Sequence, residues 1–225
     1  MKIFAHRGAS HDAPENTLAA FRLGWQQGAD GAELDVRLSR DEKIFVCHDA
    51  DTKRTTGKNR LIAATDSTAL GDLPQLEQVV AEMPADRELL VEVKCGAKIA
   101  PTLAAARMQA KRVGFLSFNI GALTAVKAAL PGHRCLLNLE PPRGRGRHDL
   151  DELISTCRKN DFSGVSFGWH GGLDSEAVAT LHGAGLMVAV WTVDDPAIAL
   201  RVRAAGADIL MTNRPEEIIG ALRRG

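Results

Sequence analysis

The sequence predicts an α/β protein of one domain, residues 1 to 225, folded as a closed (β/α)8 or TIM barrel. Short apolar runs of strand length alternate with longer runs of helical period, the pattern of consecutive βα units around a parallel sheet. A glycine-containing junction between helix and strand recurs as GADGAELDV, GAGLMVAVW and GADILMTN. No helix opens with a G-x-G-x-x-G or P-loop motif, which disfavours an open nucleotide-binding sheet.

Eight apolar runs are the predicted barrel strands. They span residues 2–5, 32–38, 89–94, 113–118, 134–139, 164–167, 186–192 and 208–212. After the second strand, SRDEK predicts a turn and IFVCHD a short returning strand, which together form an antiparallel hairpin. The first helix shows an apolar face through Leu18, Phe21 and Trp25, with Pro14 near its start and Gly28 at its end.

Two segments interrupt the alternation of strands and helices. Residues 49–73 are polar and rich in turns, and they predict a short cap inserted after the hairpin. Residues 140–149, EPPRGRGRHD, form a loop that carries Arg143, Arg145 and Arg147. This loop is either a solvated turn or a contact for a phosphate or an acidic head group.

Composition excludes several classes of partner. The formal net charge is zero, which gives no overall attraction for nucleic acid or an anionic membrane. The longest apolar runs, such as LMVAVW, are too short to span a bilayer. MKIFAHRG enters a strand directly, so we expect no secretory signal, a cytoplasmic location and no stable membrane association. The scattered cysteines are expected to be buried packing residues: Cys47, Cys95, Cys135 and Cys157.

Three carboxylates are predicted to meet at the carboxyl ends of the strands, where barrel active sites lie. Glu33 and Asp35 are two apart on one strand and therefore share a face, and Glu92 ends the third barrel strand. The hairpin is expected to set His48 roughly opposite Glu33. Oxygen ligands of this kind suit one hard divalent cation, Mg²⁺, Ca²⁺ or Mn²⁺, better than Zn²⁺.

Charged groups beside these carboxylates predict an anionic small-molecule substrate. Arg7 and Lys94 lie at strand ends and suit a phosphate, while His6 and His48 can accept and donate protons. Taken singly, such groups are more often surface charges, and their convergence at one barrel end favours a site. Trp191 either walls the substrate or packs in the core, and Trp169 with His170 offers a weaker version of the same contact.

The motifs HRGASHDAPENTLAAF, GADGAELDVRLSRDEKIFVCHD, LPQLEQVV, VEVK, LSF, VWTVDD and GADILMTNRP, in this order, resemble the glycerophosphodiester phosphodiesterase family over residues 3–217. The resemblance implies a TIM barrel that hydrolyses glycerophosphodiesters, such as glycerophosphocholine and glycerophosphoethanolamine, to glycerol 3-phosphate and an alcohol with one divalent cation. It implies metal ligands Glu33, Asp35 and Glu92, acid-base residues His6 and His48, and phosphate contacts Arg7 and Lys94. It leaves open which histidine is the acid.

The sequence departs from the family pattern in three places. The inserted segment is short, Asn213 replaces an aspartate usual before Arg-Pro, and the arginine loop at 141–148 is not a family element. Two alternatives remain. A phospholipase D-like enzyme acting on lysophospholipids or sphingomyelin predicts an apolar lip, whereas these loops are polar. A non-catalytic phosphodiester-binding protein would not need both histidines.

Overall fold

Eight parallel strands form a closed barrel in the computed structural model, which describes residues 1–106, 108, 112–140, 148–169 and 174–225. The strands follow the order β1-β9-β8-β7-β6-β5-β4-β2, and pairing of β1 with β2 closes the ring. The predicted TIM barrel is therefore confirmed. The barrel strands are β1 Lys2–His6, β2 Gly31–Leu38, β4 Glu88–Val93, β5 Val113–Ser117, β6 Arg134–Leu139, β7 Gly164–Gly168, β8 Met187–Trp191 and β9 Ile209–Thr212.

Helices pack around the outside of the barrel. They are α1 Leu18–Gln26, α2 Lys53–Thr56, α3 Leu76–Glu82, α4 Ala100–Ala105, α5 Ile120–Ala129, α6 Leu150–Asn160, α7 Ser175–Gly183, α8 Pro196–Ala204 and α9 Pro215–Arg224. In α1, Phe21 and Trp25 are buried as the periodicity predicts. The position expected for Pro14 was wrong, because the Thr17 side chain caps the helix and leaves Pro14 in the preceding loop.

Glycines at the helix-strand junctions adopt the left-handed conformation that the sequence predicts. Gly28 and Gly206 have φ of 94° and 93°. In the remaining junction the left-handed residue is Gly185, with φ of 78°, because Gly183 is still the last residue of α7. Residues with a Cβ rarely adopt these angles, so glycine sets the chain direction into the next strand.

The strands separate two apolar layers. Leu34 and Val36 point outward into the core beneath the helices, whereas Glu33 and Asp35 point into the barrel. The barrel interior holds a smaller apolar cluster of strand residues: Phe4, Leu90, Leu116, Leu136, Ala189, Ile209 and Met211. Alternation along β2 thus directs its two carboxylates into the barrel.

The inserted segment is folded around apolar residues of its own. Strand β3, Ile44–Val46, pairs antiparallel with β2, and Val36 faces Val46. The following chain contains α2 and two 3-10 turns, Ile62–Ala64 and Ser67–Ala69. One cluster of buried apolar side chains joins β3 and the residue after it to this segment: Phe45, Cys47, Ile62, Leu70 and Leu73. The cap is therefore held against the barrel by a hydrophobic cluster as well as by the hairpin.

Three of the four cysteines are buried packing residues, as expected, and Cys95 is half-buried against the core. All four are free, and Cys47, Cys135 and Cys157 are buried. Burial raises the pKa of the Cys135 thiol to about 12 and that of Cys157 to about 11, so both remain protonated thiols at neutral pH. In the described part of the chain, the helices are too short and too polar to cross a membrane.

Candidate active site

Three buried carboxylates meet inside the carboxyl end of the barrel. Asp35 on β2 is paired in register with Glu92 on β4, and each of Glu33, Asp35 and Glu92 has a ligand oxygen within 4.8 Å of the others. Their exposed fractions are 2%, 0% and 7%. Burial first, and then the charge of Asp35, raises the pKa of Glu92, and the same causes raise the pKa of Glu33 well above its usual range.

Two cations partly neutralise these carboxylates. Lys94 Nζ lies 2.7 Å from Glu92 Oε1 and 3.3 Å from Asp35 Oδ1, and Arg7 Nε lies 3.2 Å from Asp35 Oδ2. Burial acts to lower the pKa of Lys94, but Asp35 and Glu92 outweigh it and raise that pKa above its usual value. Within the described residues, Asp35 Oδ1 and Glu92 Oε1 are buried without a hydrogen bond of good geometry. An all-oxygen set with free lone pairs fits a hard divalent cation.

His6 presents one nitrogen to the carboxylates and anchors the other. Its Nε2 lies 3.9 Å from Glu33 Oε2, and its Nδ1 lies 2.7 Å from Asn213 Oδ1. Because an amide oxygen only accepts hydrogen bonds, Nδ1 carries the proton and Nε2 is the free acceptor. Burial, and then the charge of Arg7, lowers the pKa of His6. The neutral ring is therefore favoured.

His48 lies just beyond β3 and lines the same cavity as Glu33 and Glu92. The ladder ends at Val46, and continuing its register would place His48 level with Leu34 rather than Glu33. Arg37 holds the backbone here by donating two hydrogen bonds, of 3.0 and 2.7 Å, to the carbonyl oxygen of His48. His48 Nδ1 lies 2.8 Å from Asp49 Oδ1. A carboxylate in this position accepts from Nδ1 and fixes the orientation of the ring.

One cavity of about 260 Å³ joins these groups. Seven of the eight site residues predicted from the sequence line it, and Asp35 is the exception because it is fully buried. The seven are His6, Arg7, Glu33, His48, Glu92, Lys94 and Trp191. A second, open groove of about 890 Å³ shares His6 and Arg7 and runs over the ends of β7, β8 and β9. The two spaces therefore meet at the end of the first strand.

The family comparison decides the identity of this site. The family model of the glycerophosphoryl diester phosphodiesterase family matches residues 6–96 and 72–217. The chain belongs to this family. A glycerophosphodiester phosphodiesterase of Caldanaerobacter subterraneus is 29% identical over 264 residues, covering 99% of this chain and 98% of the relative.

Solved structures of the family share the fold over nearly the full chain. The glycerophosphodiester phosphodiesterase of Thermotoga maritima has a TM-score of 0.84 at 26% identity and covers 98% of this chain and 97% of its own. A phosphodiesterase of Oleispira antarctica, in complex with the product sn-glycerol-3-phosphate, has a TM-score of 0.86 at 27% identity, with coverage of 99% and 97%. The chain is an enzyme of the glycerophosphodiester phosphodiesterase class.

Trp191 both packs and lines the cavity. Its ring meets Phe118 edge to face with centroids 5.7 Å apart, and Lys94 Nζ lies 5.6 Å from the Phe118 centroid. The two interpretations of this tryptophan are therefore compatible. Trp169 lines the open groove. Its neighbour His170 and the loop arginines Arg143, Arg145 and Arg147 lie outside the described residues.

Several contacts to the predicted site residues were missed from the sequence. Asn16 is buried, and its Nδ2 donates to Asp35 Oδ2 at 2.8 Å. Glu15 Oε1 accepts from Arg7 Nη1 at 3.1 Å, and Ser10 Oγ donates to Asn213 Oδ1 at 2.7 Å. The sequence places Pro14 near the start of the first helix, yet Asn16, two residues later, has φ of 57°, an angle at which asparagine is enriched. The asparagine itself was the signal available in the sequence, because this residue type is enriched at positive φ and therefore indicates a bend.

Asn213 is the departure from the family pattern with a clear structural effect. Its Nδ2 donates to Asp194 Oδ2 at 2.6 Å while its Oδ1 accepts from His6. We expect Asn213→Asp to lower the free energy of unfolding by about 1–3 kcal/mol, because two carboxylates then meet without a donor between them. The new charge beside Nδ1 also raises the pKa of His6. Urea unfolding and an NMR titration of His6 measure both effects.

The matched control is Asn119→Asp. Asn119 caps α5 by accepting from the Ala122 amide at 2.9 Å, a role that aspartate performs equally well. Unchanged stability and an unchanged His6 titration in Asn213→Asp would contradict the proposed hydrogen-bond chain.

Proposed function

We propose that this enzyme hydrolyses water-soluble glycerophosphodiesters, such as glycerophosphocholine and glycerophosphoethanolamine, to glycerol 3-phosphate and an alcohol, with one divalent cation. The observation that carries the proposal is one cavity lined by the Glu33 and Glu92 carboxylates, two histidines and two cations, with the third carboxylate of the cluster, Asp35, within 4.8 Å of the other two. The product bound by the Oleispira antarctica relative supports glycerol 3-phosphate as the product.

Glu33, Asp35 and Glu92 are the proposed cation ligands, because each contributes a buried oxygen and these oxygens lie within 4.8 Å of one another. When bound, Mg²⁺, Ca²⁺ or Mn²⁺ supplies positive charge that offsets charge developing on the phosphoryl oxygens. Arg7 and Lys94 line the same cavity and are the proposed contacts for the other phosphate oxygens. Such fixed charges are usually the largest contribution to catalysis.

The proposed proton path runs through the two histidines. His6, with Nδ1 held by Asn213, offers a free Nε2 and is assigned as the base that takes a proton from water or from a neighbouring glycerol hydroxyl. His48 is assigned as the acid that donates to the leaving alkoxide, because its Nδ1 is held by Asp49 Oδ1 while its ring lines the same cavity. His6 is the less exposed of the two rings, at 16% against 34% for His48, and burial lowers its pKa, which agrees with its role as the base.

Polarity at the barrel mouth favours small diesters over lysophospholipids. The open groove is lined mainly by charged and polar side chains, including Glu15, Asp194, Asp195 and Arg214. In the described part of the chain, the exposed large hydrophobic residues are Met1, Leu61 and Ile120, and none of them lines the cavity or the groove. An apolar acyl chain would find little complementary surface here. The cytoplasmic location stays a prediction.

The decisive experiment measures release of glycerol 3-phosphate from glycerophosphocholine. We expect release with Mg²⁺, Ca²⁺ or Mn²⁺ and loss of release with EDTA. Lysophosphatidylcholine, assayed beside it below its micellar concentration, is expected to react far more slowly. Preferential cleavage of the lysophospholipid would support the phospholipase D-like alternative, and binding of glycerophosphocholine without turnover under any cation would support the non-catalytic one.

A further inference from the structure

One guanidinium of the cap contacts two carboxylates that lie next to the site. Arg54 donates to both oxygens of Glu15, at 2.9 and 2.8 Å, and its Nε donates to Asp49 Oδ2 at 2.6 Å. Bidentate pairing fixes both the distance and the plane of the two groups. We call Arg54, Glu15 and Asp49 the cap clamp.

Each carboxylate of the cap clamp also contacts a predicted site residue. Glu15 Oε1 accepts from Arg7 Nη1 at 3.1 Å, and Asp49 Oδ1 lies 2.8 Å from His48 Nδ1. Arg7 follows β1 and His48 follows β3, so the two residues arrive from different elements. Arg54 is thus linked to Arg7 through Glu15 and to His48 through Asp49.

Arg54 does not itself reach the cavity that contains the carboxylates. It lines a separate crevice between the cap and the loop before α1, and about half of its side chain is exposed. The short helix α2 that carries it is held at both ends, because Lys53 N donates to Asp51 Oδ1 at 2.9 Å and the Thr56 hydroxyl donates to Thr52 O at 2.9 Å. Any influence on the reaction must therefore pass through Glu15 and Asp49.

The charges of the cap clamp persist over the range in which histidines titrate. The hydrogen bond from Arg54, and then that from His48, lowers the pKa of Asp49 to about 2. The hydrogen bond from Arg54 is also the largest cause that lowers the pKa of Glu15. Both carboxylates are ionised at neutral pH and act as fixed acceptors for Arg7 and His48.

We propose that Arg54 is a positioning residue, which holds Glu15 and Asp49 so that Arg7 and His48 face the cavity together. This proposal rests on the proposed hydrolase function and adds to it a role for the inserted segment. Exposed ion pairs contribute little to stability, so the effect of Arg54 is expected in turnover and substrate binding rather than in folding. Small losses of orientation cost large factors in rate.

The test compares Arg54→Ala, Arg54→Lys and the control Arg40→Ala in glycerophosphocholine hydrolysis. Arg40 is an exposed arginine that pairs with Asp66 of the inserted segment, Nε to Oδ1 at 2.7 Å, and it lines neither the cavity nor the groove. We expect Arg54→Ala to lower kcat and raise KM, each by about 10-fold, with Arg54→Lys in between and Arg40→Ala at the wild-type values. Melting temperatures should stay close to that of the wild type.

Single substitutions of Glu15 and Asp49 test the two contacts of the cap clamp separately. Glu15→Gln loosens Arg7 and is expected mainly to raise KM, whereas Asp49→Asn loosens His48 and is expected mainly to lower kcat. Wild-type kinetics in Arg54→Ala, or an equal loss in Arg40→Ala, would overturn the positioning role while leaving the hydrolase function intact.

An inactive wild type would instead count against the hydrolase function, and the clamp is then tested without turnover. Imidazole ¹⁵N spectra of the wild type and Arg54→Ala report the hydrogen bond at His48 Nδ1. A shifted His48 resonance supports the clamp, and an unchanged one overturns it.

Discussion

His6→Ala is expected to lower kcat/KM for glycerophosphocholine by about 10²–10⁴-fold, the usual contribution of a positioned acid or base. His6 offers its free Nε2 to the cavity, and alanine leaves no acceptor there. His48→Ala is expected to cause a similar loss by removing the proton donor. Steady-state kinetics measure both effects, and His182→Ala is the control, since His182 on α7 is an exposed partner of Asp208.

The pH profile tests the same assignment. A neutral base and a charged acid are both required, so kcat/KM of the wild type should be bell-shaped, and each histidine variant should lose one limb. A flat profile between pH 5 and about 9, or full activity in His6→Ala, would contradict acid-base catalysis by these residues. Cation-induced thermal stabilisation should survive in His6→Ala, which separates lost proton transfer from lost metal binding.

Glu33→Gln is expected to abolish the stabilisation by divalent cations and at the same time to stabilise the metal-free protein. Burial and neighbouring carboxylates raise the pKa of Glu33 above the ordinary 4.5. As the pH rises past 4.5, the unfolded chain loses this proton before the folded one, so folding becomes less favourable. An uncharged glutamine removes that penalty, and the melting temperature without metal should rise by about 2–8 °C at neutral pH.

When a divalent cation is added, the order of the two melting temperatures is expected to reverse, with the wild type above Glu33→Gln. At 100 times its dissociation constant, a cation stabilises the wild type by about 2.7 kcal/mol, or about 5–10 °C in melting temperature. Glu33→Gln should show little of this increase and little hydrolysis. Thermal melts with EDTA or with Mn²⁺ measure both effects, and Glu176→Gln on the surface of α7 is the control. A full cation response in Glu33→Gln would remove Glu33 from the ligand set.

The alternation of apolar runs with helical segments, and the glycines at the helix ends, made the barrel predictable. β6 has the predicted bounds, 134–139, and each of the other barrel strands differs from its predicted bounds by one residue at one end or at both. Parallel strands buried on both faces are continuous apolar runs, and glycine marks the left-handed ends of helices, so local chemistry reports both. The error at Pro14 arose because α1 begins where Thr17 Oγ1 accepts a hydrogen bond from the Ala20 amide. Hydrophobic periodicity does not show such a cap.

The sequence by itself determined the fold and the residues that face the cavity, because alternation along a strand decides which side chains point inward and a barrel gathers its strand ends. Only the tertiary structure decided how those residues are held. Asn213 lies 207 residues from His6, and Arg54 reaches Glu15 across 39 residues. Such partners depend on the packing of distant loops, and no local period or spacing in the chain records that packing.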